Sequence, residues 1–409
     1  MDPVETYLAE ILAAISPLAP RELSLADASG SVLAADVTAR CPLPPFDNSA
    51  MDGYAVHAAD TAGAAPDAPV TLPVTAEVPA GDTTPRTLPR GTAIKIMTGA
   101  LLPAGADAVV PVEHAGGGTH AGRGAEQVAI RAAAEPGAAV RRAGGDAQPG
   151  DLLLPAGTRV GPAQLGLLAA AGHGSVLARP RPRVTVISTG NELAEPGAPL
   201  VPGQIWESNS WMLAAAARQA GCDARRLASV ADDKTAVLDT VKQAAAESDL
   251  LVTTGGVSMG GEHDVVKAAL SRLGTVTFRK VAMQPGMPQG FGLVGEDRVP
   301  IFTLPGNPVS AFVSFRLFVL PAIGSLQKNN SATSRPPVRA LLTGSLRSPA
   351  GKRSYLRAIL DREAGTVAPA SGQQSHQLAE LARANALIIV PEPVTELGAG
   401  AAVDVLELP

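Results

Sequence analysis

A multidomain α/β and β protein organised around a central doubly wound α/β domain is what two patterns in this sequence predict. Three times between residues 183 and 308 a short apolar run meets a cluster of small turn residues: RVTVI before STGNE, LLV before TTGG, and VPIFTL before PGNP. On both sides of that region lie short alternating strands broken by Gly and Pro, the texture of small β-domains. Strands alternating with helices argue a parallel sheet, whose ligands bind beyond the carboxyl ends of the strands. All three turns are therefore expected to face one crevice.

In chain order, Val4, Tyr7, Leu8, Ile11, Leu12 and Ile15 lie at 3–4 spacing and predict an amphipathic helix, ended by the proline-rich residues 17–20. Residues 23–36 read as a loop and short strand. PLPPFDNSAMDGYAV is dense in turn formers yet carries two aspartates, and residues 71–113 hold short strands of an expected β-domain. GGGTHAGRG, residues 116–124, reads as a hairpin tip, and residues 144–160 lead to a helix with Pro162 near its start. A Pro/Arg cluster at 179–183 marks the start of the α/β domain, with helices expected over 208–220, closed by Gly221, and 232–247. The linker-like KNNSATSRPP at 328–337 marks its end, and the strands of residues 338–409 read as a barrel or a sandwich.

Composition narrows the partners. Of 409 residues, 46% are hydrophobic and 17% charged, ordinary for a globular protein. A net charge of −5 gives no footprint for nucleic acid or an anionic membrane, and no apolar run close to the ~18 residues of a membrane helix is read in the chain. The N-terminus carries Asp2, Glu5 and Glu10 in place of a basic region, so no signal peptide is expected, and Cys41 and Cys222 alone make no disulfide framework. A cytoplasmic protein is expected.

The most informative stretch is DLLVTTGGVSMGGEHDVV, residues 249–266, a buried strand running through a glycine turn into a helix that Gly274 closes. Small residues at Thr253, Thr254, Gly255 and Gly256 let backbone N–H groups approach a phosphate or oxyanion. Glu192 and Asp264 beside such a rim would repel phosphate unless a cation lay between, and Mg²⁺ satisfies both. Taken alone, Asp264 reads sooner as a first-turn acid matched to its helix dipole than as a metal ligand, and one of Asp232 and Asp233 is an N-cap. Asn307 and Pro308 are placed as N-cap and first residue of the next helix. No nucleophile relay or metal-cluster spacing occurs, and His263 and His376 read as solvated loop residues. The residues themselves thus lead to a phosphate-bearing ligand and a divalent cation.

PPFDNSAMDGYAV, IKIMTGALLPAGADAVV, ISTGNEL, TTGGVSMGGEHDVVK and LPGNPVSAFVSF resemble, in this order and over essentially the whole chain, motifs of the MoeA-type molybdopterin molybdenumtransferases, a family related to the C-terminal part of gephyrin. The resemblance implies a discontinuous helical N-terminal domain (1–45 and 140–178), an inserted β-domain (46–139), a MogA-like α/β domain (179–328) and a C-terminal β-barrel (333–409). It implies conversion of adenylyl-molybdopterin and molybdate to molybdenum cofactor and AMP, with Mg²⁺, by a homodimer that has a MogA-type adenylyltransferase as candidate partner. By motif, Asp52, Thr98, Glu192 and Asp264 would be catalytic, Glu192 and Asp264 also holding the metal. Asp232, Gly255, Gly256, Ser258, Pro305, Asn307, Pro308, Arg357 and Ser375 would bind substrate. Asp52 and Thr98 would come from the other subunit.

Two departures stand out. Gly260–Gly261 lengthens the central loop by one residue, which moves Asp264 a step from Ser258, and Gln284 and Met287 stand where the family's KPGKP-like segment carries lysines. A gephyrin-like scaffold without catalysis is compatible with these departures. A standalone MogA-type adenylyltransferase is disfavoured by the flanking domains.

Overall fold

Three adjacent parallel strands, Arg183–Ser188, Leu250–Thr254 and Val299–Leu304, are formed by the three apolar runs in a computed structural model of the chain. The structure describes residues 1–116, 126–257, 265–329 and 336–408. Register matters most here: Ser188 lies opposite Thr254 and Thr254 opposite Leu304, so the strands end level and their turns leave side by side. Asp223–Arg226 adds a fourth parallel strand. Val184, Val186, Leu250, Val252, Phe302 and Leu304 enter one core, while Ile187, Leu251 and Ile301 enter another on the opposite face. Burial on both faces is why these strands read as unbroken apolar runs.

Beyond Val299–Leu304 the sheet departs from the wholly parallel arrangement expected, because Pro288–Val294 and Val276–Lys280 add antiparallel. Only residues 281–287 and 295–298 connect these strands, too few for the dozen or more residues of a parallel crossover. The first of these connections carries Met283–Gln284, which pairs with Arg353 and Ser354 of the C-terminal β-domain. That domain is a barrel: Arg353–Asp361, Thr366–Pro369, Val338–Leu342, Ala402–Glu407 and Ala386–Val390 pair in turn, and the last returns to the first. Closure leaves these strands no free edge.

Helices fill the rest of this unit. Val4–Ala14 buries Val4, Tyr7 and Ile11, and Tyr7 meets Phe318 edge-on with ring centroids 5.0 Å apart. The short helix Leu25–Ala28, N-capped by Ser24, stands where a loop was expected. The reading that no apolar run approaches membrane-spanning length is also corrected. Pro308–Gln327 is long and apolar enough, and 72% of its most apolar 18-residue window is buried inside the protein. Its Val309, Val313, Phe315, Phe318 and Ile323 belong to the first core, so the need to fill that core explains its composition.

Two compact units result, Met1–Ala35 with Gly157–Gly161 and Leu177–Pro409, and Asp36–Ala156 with Pro162–Val176; the four expected domains divide the chain more finely. Everything above belongs to the first. The second contains a six-stranded sheet in the order Ala108–Pro111, Gly53–Val56, Ala93–Ile96, Val70–Val78, Gln127–Ile130 and Ala115–Gly116. The helix at Pro162–Ala170 follows as expected. The expected hairpin tip lies outside the described residues apart from Gly116, and the strands flanking it pair antiparallel.

Candidate functional site: two adjoining cavities

A cavity of about 670 Å³ opens where the three parallel strands end, lined by Thr189, Gly190, Gly255, Gly256 and Pro305–Pro308 together with Glu192 and Asp232. Its turns are stitched to one another: Thr189 N–H donates to Thr254 O (3.1 Å) and Gly255 N–H to Leu304 O (3.2 Å). Gly255, at φ +97°, is required by this stitching, since a Cβ there would stand 2.5 Å from Thr189 O, and a Cβ on Gly256, at φ +63°, would stand 2.7 Å from Val266 Cγ2. The glycines thus serve the packing of the turns as well as any ligand. Asn209, which the sequence reading passed over, spans two of them. Its Nδ2 donates to Thr254 Oγ1 (2.9 Å) and to Gly306 O (2.7 Å).

The acids divide by role. Asp233 caps Lys234–Ala246 through Thr235 and Ala236 N–H, which frees Asp232 to line the cavity, where its Oδ2 accepts from Asn191 N–H (3.2 Å). Glu207 is a buried carboxylate that sequence reasoning also missed. It accepts from Ser188 Oγ (2.7 Å), Ser210 N–H (2.8 Å) and Ser210 Oγ (2.6 Å), fixing the first turn of Asn209–Gln219 against the end of Arg183–Ser188. Asn307 and Pro308 do begin the helix Pro308–Ser314, although the Asn307 side chain makes no capping bond. Ser258 and Asp264 lie outside the described residues.

A second cavity of about 570 Å³ is lined by Gln284, Met287, Ser310, Lys352, Gln373 and Ser375, so the departing segment QPGMPQG and the barrel loop QQSHQ do meet. His376 lines both cavities and stands exposed in a turn, as expected for a solvated loop residue. Lys280 lines neither. Arg357 sits 1% exposed beneath the loop, its Nε and Nη2 donating to Gly372 O and its Nη1 to Gln374 O. It shapes the loop that carries Ser375 without being among the lining residues. Lys352 is the cation that does line this cavity, and nothing in its sequence context marked it.

In the second unit, Asp52 and Thr98, 46 residues apart, are joined: Asp52 Oδ1 accepts from Thr98 N–H (2.6 Å) and Thr98 Oγ1 (2.7 Å). These bonds, the backbone one foremost, hold the Asp52 carboxyl below the usual aspartate range. Gly53 makes the strand possible, since a Cβ would stand 2.1 Å from Val110 O, and Gly99 turns the chain at φ +78°. The Asp52 and Thr98 residues stay exposed.

For a cation the donor chemistry is decisive. The Glu192 carboxylate folds over Gly190 into the space a Cβ would fill, 2.6–2.7 Å from that position, at the cavity wall. Glu192 and Asp232, both lining this cavity, offer carboxylate oxygens, which suit Mg²⁺, an ion usually held by one or two carboxylates plus water and phosphate. Among the described residues no group of three or more His, Cys, Asp or Glu forms a cage.

The crevice lies at the carboxyl edge of a parallel sheet, where doubly wound α/β folds hold their ligands, and it adjoins a cavity lined by Lys352, Ser310 and Ser375. Comparison with known proteins narrows this. Residues 2–172 match a family model described as "MoeA N-terminal region (domain I and II)", residues 185–325 one described as "Probable molybdopterin binding domain", and residues 339–408 one described as "MoeA C-terminal region (domain IV)". Molybdopterin molybdenumtransferase 2 of Mycobacterium tuberculosis is 49% identical over 410 residues, covering 99% of this chain and 98% of that one. The molybdopterin molybdenumtransferase of Bacillus subtilis is 36% identical, covering 94% and 89%. A crystal structure of the molybdopterin biosynthesis MoeA protein of Pyrococcus horikoshii superposes with a TM-score of 0.76 at 31% identity, over 99% of this chain and 98% of that one. The chain belongs to the molybdopterin molybdenumtransferase family.

Proposed function

We propose that this enzyme takes adenylyl-molybdopterin and molybdate, inserts the metal into molybdopterin, and releases molybdenum cofactor and AMP. The observation that carries this is the pair of cavities sharing His376: a crevice roomy enough for far more than a phosphate group beside a pocket with Lys352 and the hydroxyls of Ser310 and Ser375. The strand-end turns hold the pyrophosphate by backbone N–H groups. Lys352 and Ser375 hold the oxyanion, so that an oxygen of molybdate is positioned to attack the phosphoanhydride. Arg357 keeps the Ser375 loop in place through Gly372 O and Gln374 O. Glu192, with Asp264, would hold Mg²⁺, which when bound neutralises phosphate charge.

We further infer a homodimer, in which Asp52 and Thr98 complete the crevice of the other subunit, supported by their joined and exposed pairing. A MogA-type adenylyltransferase would supply the substrate. A cytoplasmic setting is supported by the free Cys41 and Cys222. The test is AMP release and cofactor formation from adenylyl-molybdopterin and molybdate by the purified protein. AMP release that depends on molybdate is expected. A gephyrin-like scaffold would bind pterin and release none, and an adenylyltransferase would instead consume ATP.

A further inference from the structure

The two tryptophans of the chain stand five residues apart, and both are exposed, Trp206 by 54% and Trp211 by 50%. Their rings differ in what they meet. Trp211 carries the Arg226 guanidinium over its face at 4.3 Å, so that face is occupied. Trp206 has no aromatic or cationic stacking partner among the described residues. Its indole is nevertheless held in place, because Nε1–H donates to Ala198 O at 2.9 Å. The backbone beneath it is fixed too, by parallel pairing of Ile205–Trp206 with Leu193–Ala194.

Trp206 lines the crevice beside Glu192 and the strand-end turns, next to Ile205, which is 57% exposed and lines it too. An exposed apolar ring held by a backbone bond, on the wall of a cavity of about 670 Å³, is pre-organised for a flat partner. We propose that Trp206, flanked by Ile205, is a ring-binding subsite that stacks a planar heteroaromatic group of the crevice ligand, a purine or a pteridine. This deepens the reading of the crevice as the site of adenylyl-molybdopterin and rests on it. Trp206 sets where the ring lies, and the strand-end turns set where the phosphates lie.

Because only two tryptophans exist, Trp211→Phe gives a full-length protein whose indole emission reports Trp206 alone. Titration of that protein with AMP and, separately, with neopterin is expected to quench the emission saturably with one of them, which assigns the ring. Calorimetry on the unaltered protein should give a matching Kd for that ligand. Trp206→Leu should weaken it by about 5- to 150-fold, as loss of one stacked base does, while Trp206→Tyr keeps most of the affinity. Binding with unchanged emission, or equal binding by Trp206→Leu, overturns the subsite alone and leaves the crevice reading standing. Emission that follows protein dilution and not ligand would assign Trp206 to a contact between copies and also overturns it. If neither ligand binds the unaltered protein, subsite and crevice reading fall together.

Discussion

Met287 and Lys352 both line the second cavity, where the proposal places molybdate. Met287→Lys should add a charge-assisted hydrogen bond to molybdate, lowering the concentration for half-maximal transfer by about tenfold to a hundredfold with little change at saturation. Lys352→Met should move it the opposite way. Cofactor formation against molybdate concentration at low ionic strength checks both, and unchanged half-saturation in both would remove this pocket from the mechanism. The Asp52–Thr98 pair makes a separate prediction. Its larger bond comes from the Thr98 backbone N–H, so Thr98→Val should raise the Asp52 pKa only part of the way to an unperturbed aspartate, as carboxyl NMR titration would read. The depressed carboxyl gives a stabilising contribution complete above its unfolded value near ~3.9 and lost as pH falls through the lower folded value. Residue types at Asp52, Thr98, Glu192 and Asp232 were legible in sequence because each sits in a dense motif. Lys352 was not, since a lone loop lysine has neither period nor spacing, and an arginine such as Arg357 reads alike whether it meets a ligand or a loop carbonyl.

Elements were legible wherever burial imposes a period. The strands Arg183–Ser188, Leu250–Thr254 and Val299–Leu304 are buried along nearly their whole length, and the N-terminal helix shows its buried stripe at Val4, Tyr7 and Ile11. What escaped was direction and neighbourhood. Nothing in PQGFGLV as an apolar run distinguishes a parallel from an antiparallel strand, and only the short connections on either side decide it. Likewise Pro308–Gln327 earns its apolar composition from a core assembled from distant parts of the chain. The turns permit a sharper prediction. Gly255→Ala puts a Cβ 2.5 Å from a backbone oxygen at φ +97°, so it should cost at least about 1–2 kcal/mol, seen as a lower urea midpoint. Gly306→Ala meets nothing closer than 3.6 Å and should leave the unfolding free energy within about 0.5 kcal/mol. It lines the crevice, so it should instead weaken ligand binding. Equal effects on stability would mean that the two turns are not packed as described.

At the scale of the whole molecule, the crevice lies in one compact unit and the Asp52–Thr98 pair in the other. If each site is completed by the other subunit of a homodimer, lesions on the two parts complement in trans. Asp52→Ala leaves the crevice intact, and Glu192→Gln leaves Asp52 and Thr98 intact, so each homodimer alone has two damaged sites. In a mixed dimer the crevice of the Asp52→Ala subunit receives Asp52 from its partner, which restores one site, while the other site collects both lesions. Random reassortment makes half of the dimers mixed with one working site in each, so activity should return to roughly a quarter of the unaltered level. A site built within one chain would return none, because every subunit would still carry a lesion. Light scattering after size exclusion supplies the premise, a mass twice the 41.4 kDa of the chain at micromolar concentration. A species of 41.4 kDa that nevertheless forms cofactor would show that Asp52 and Thr98 either act within their own chain or take no part in the chemistry.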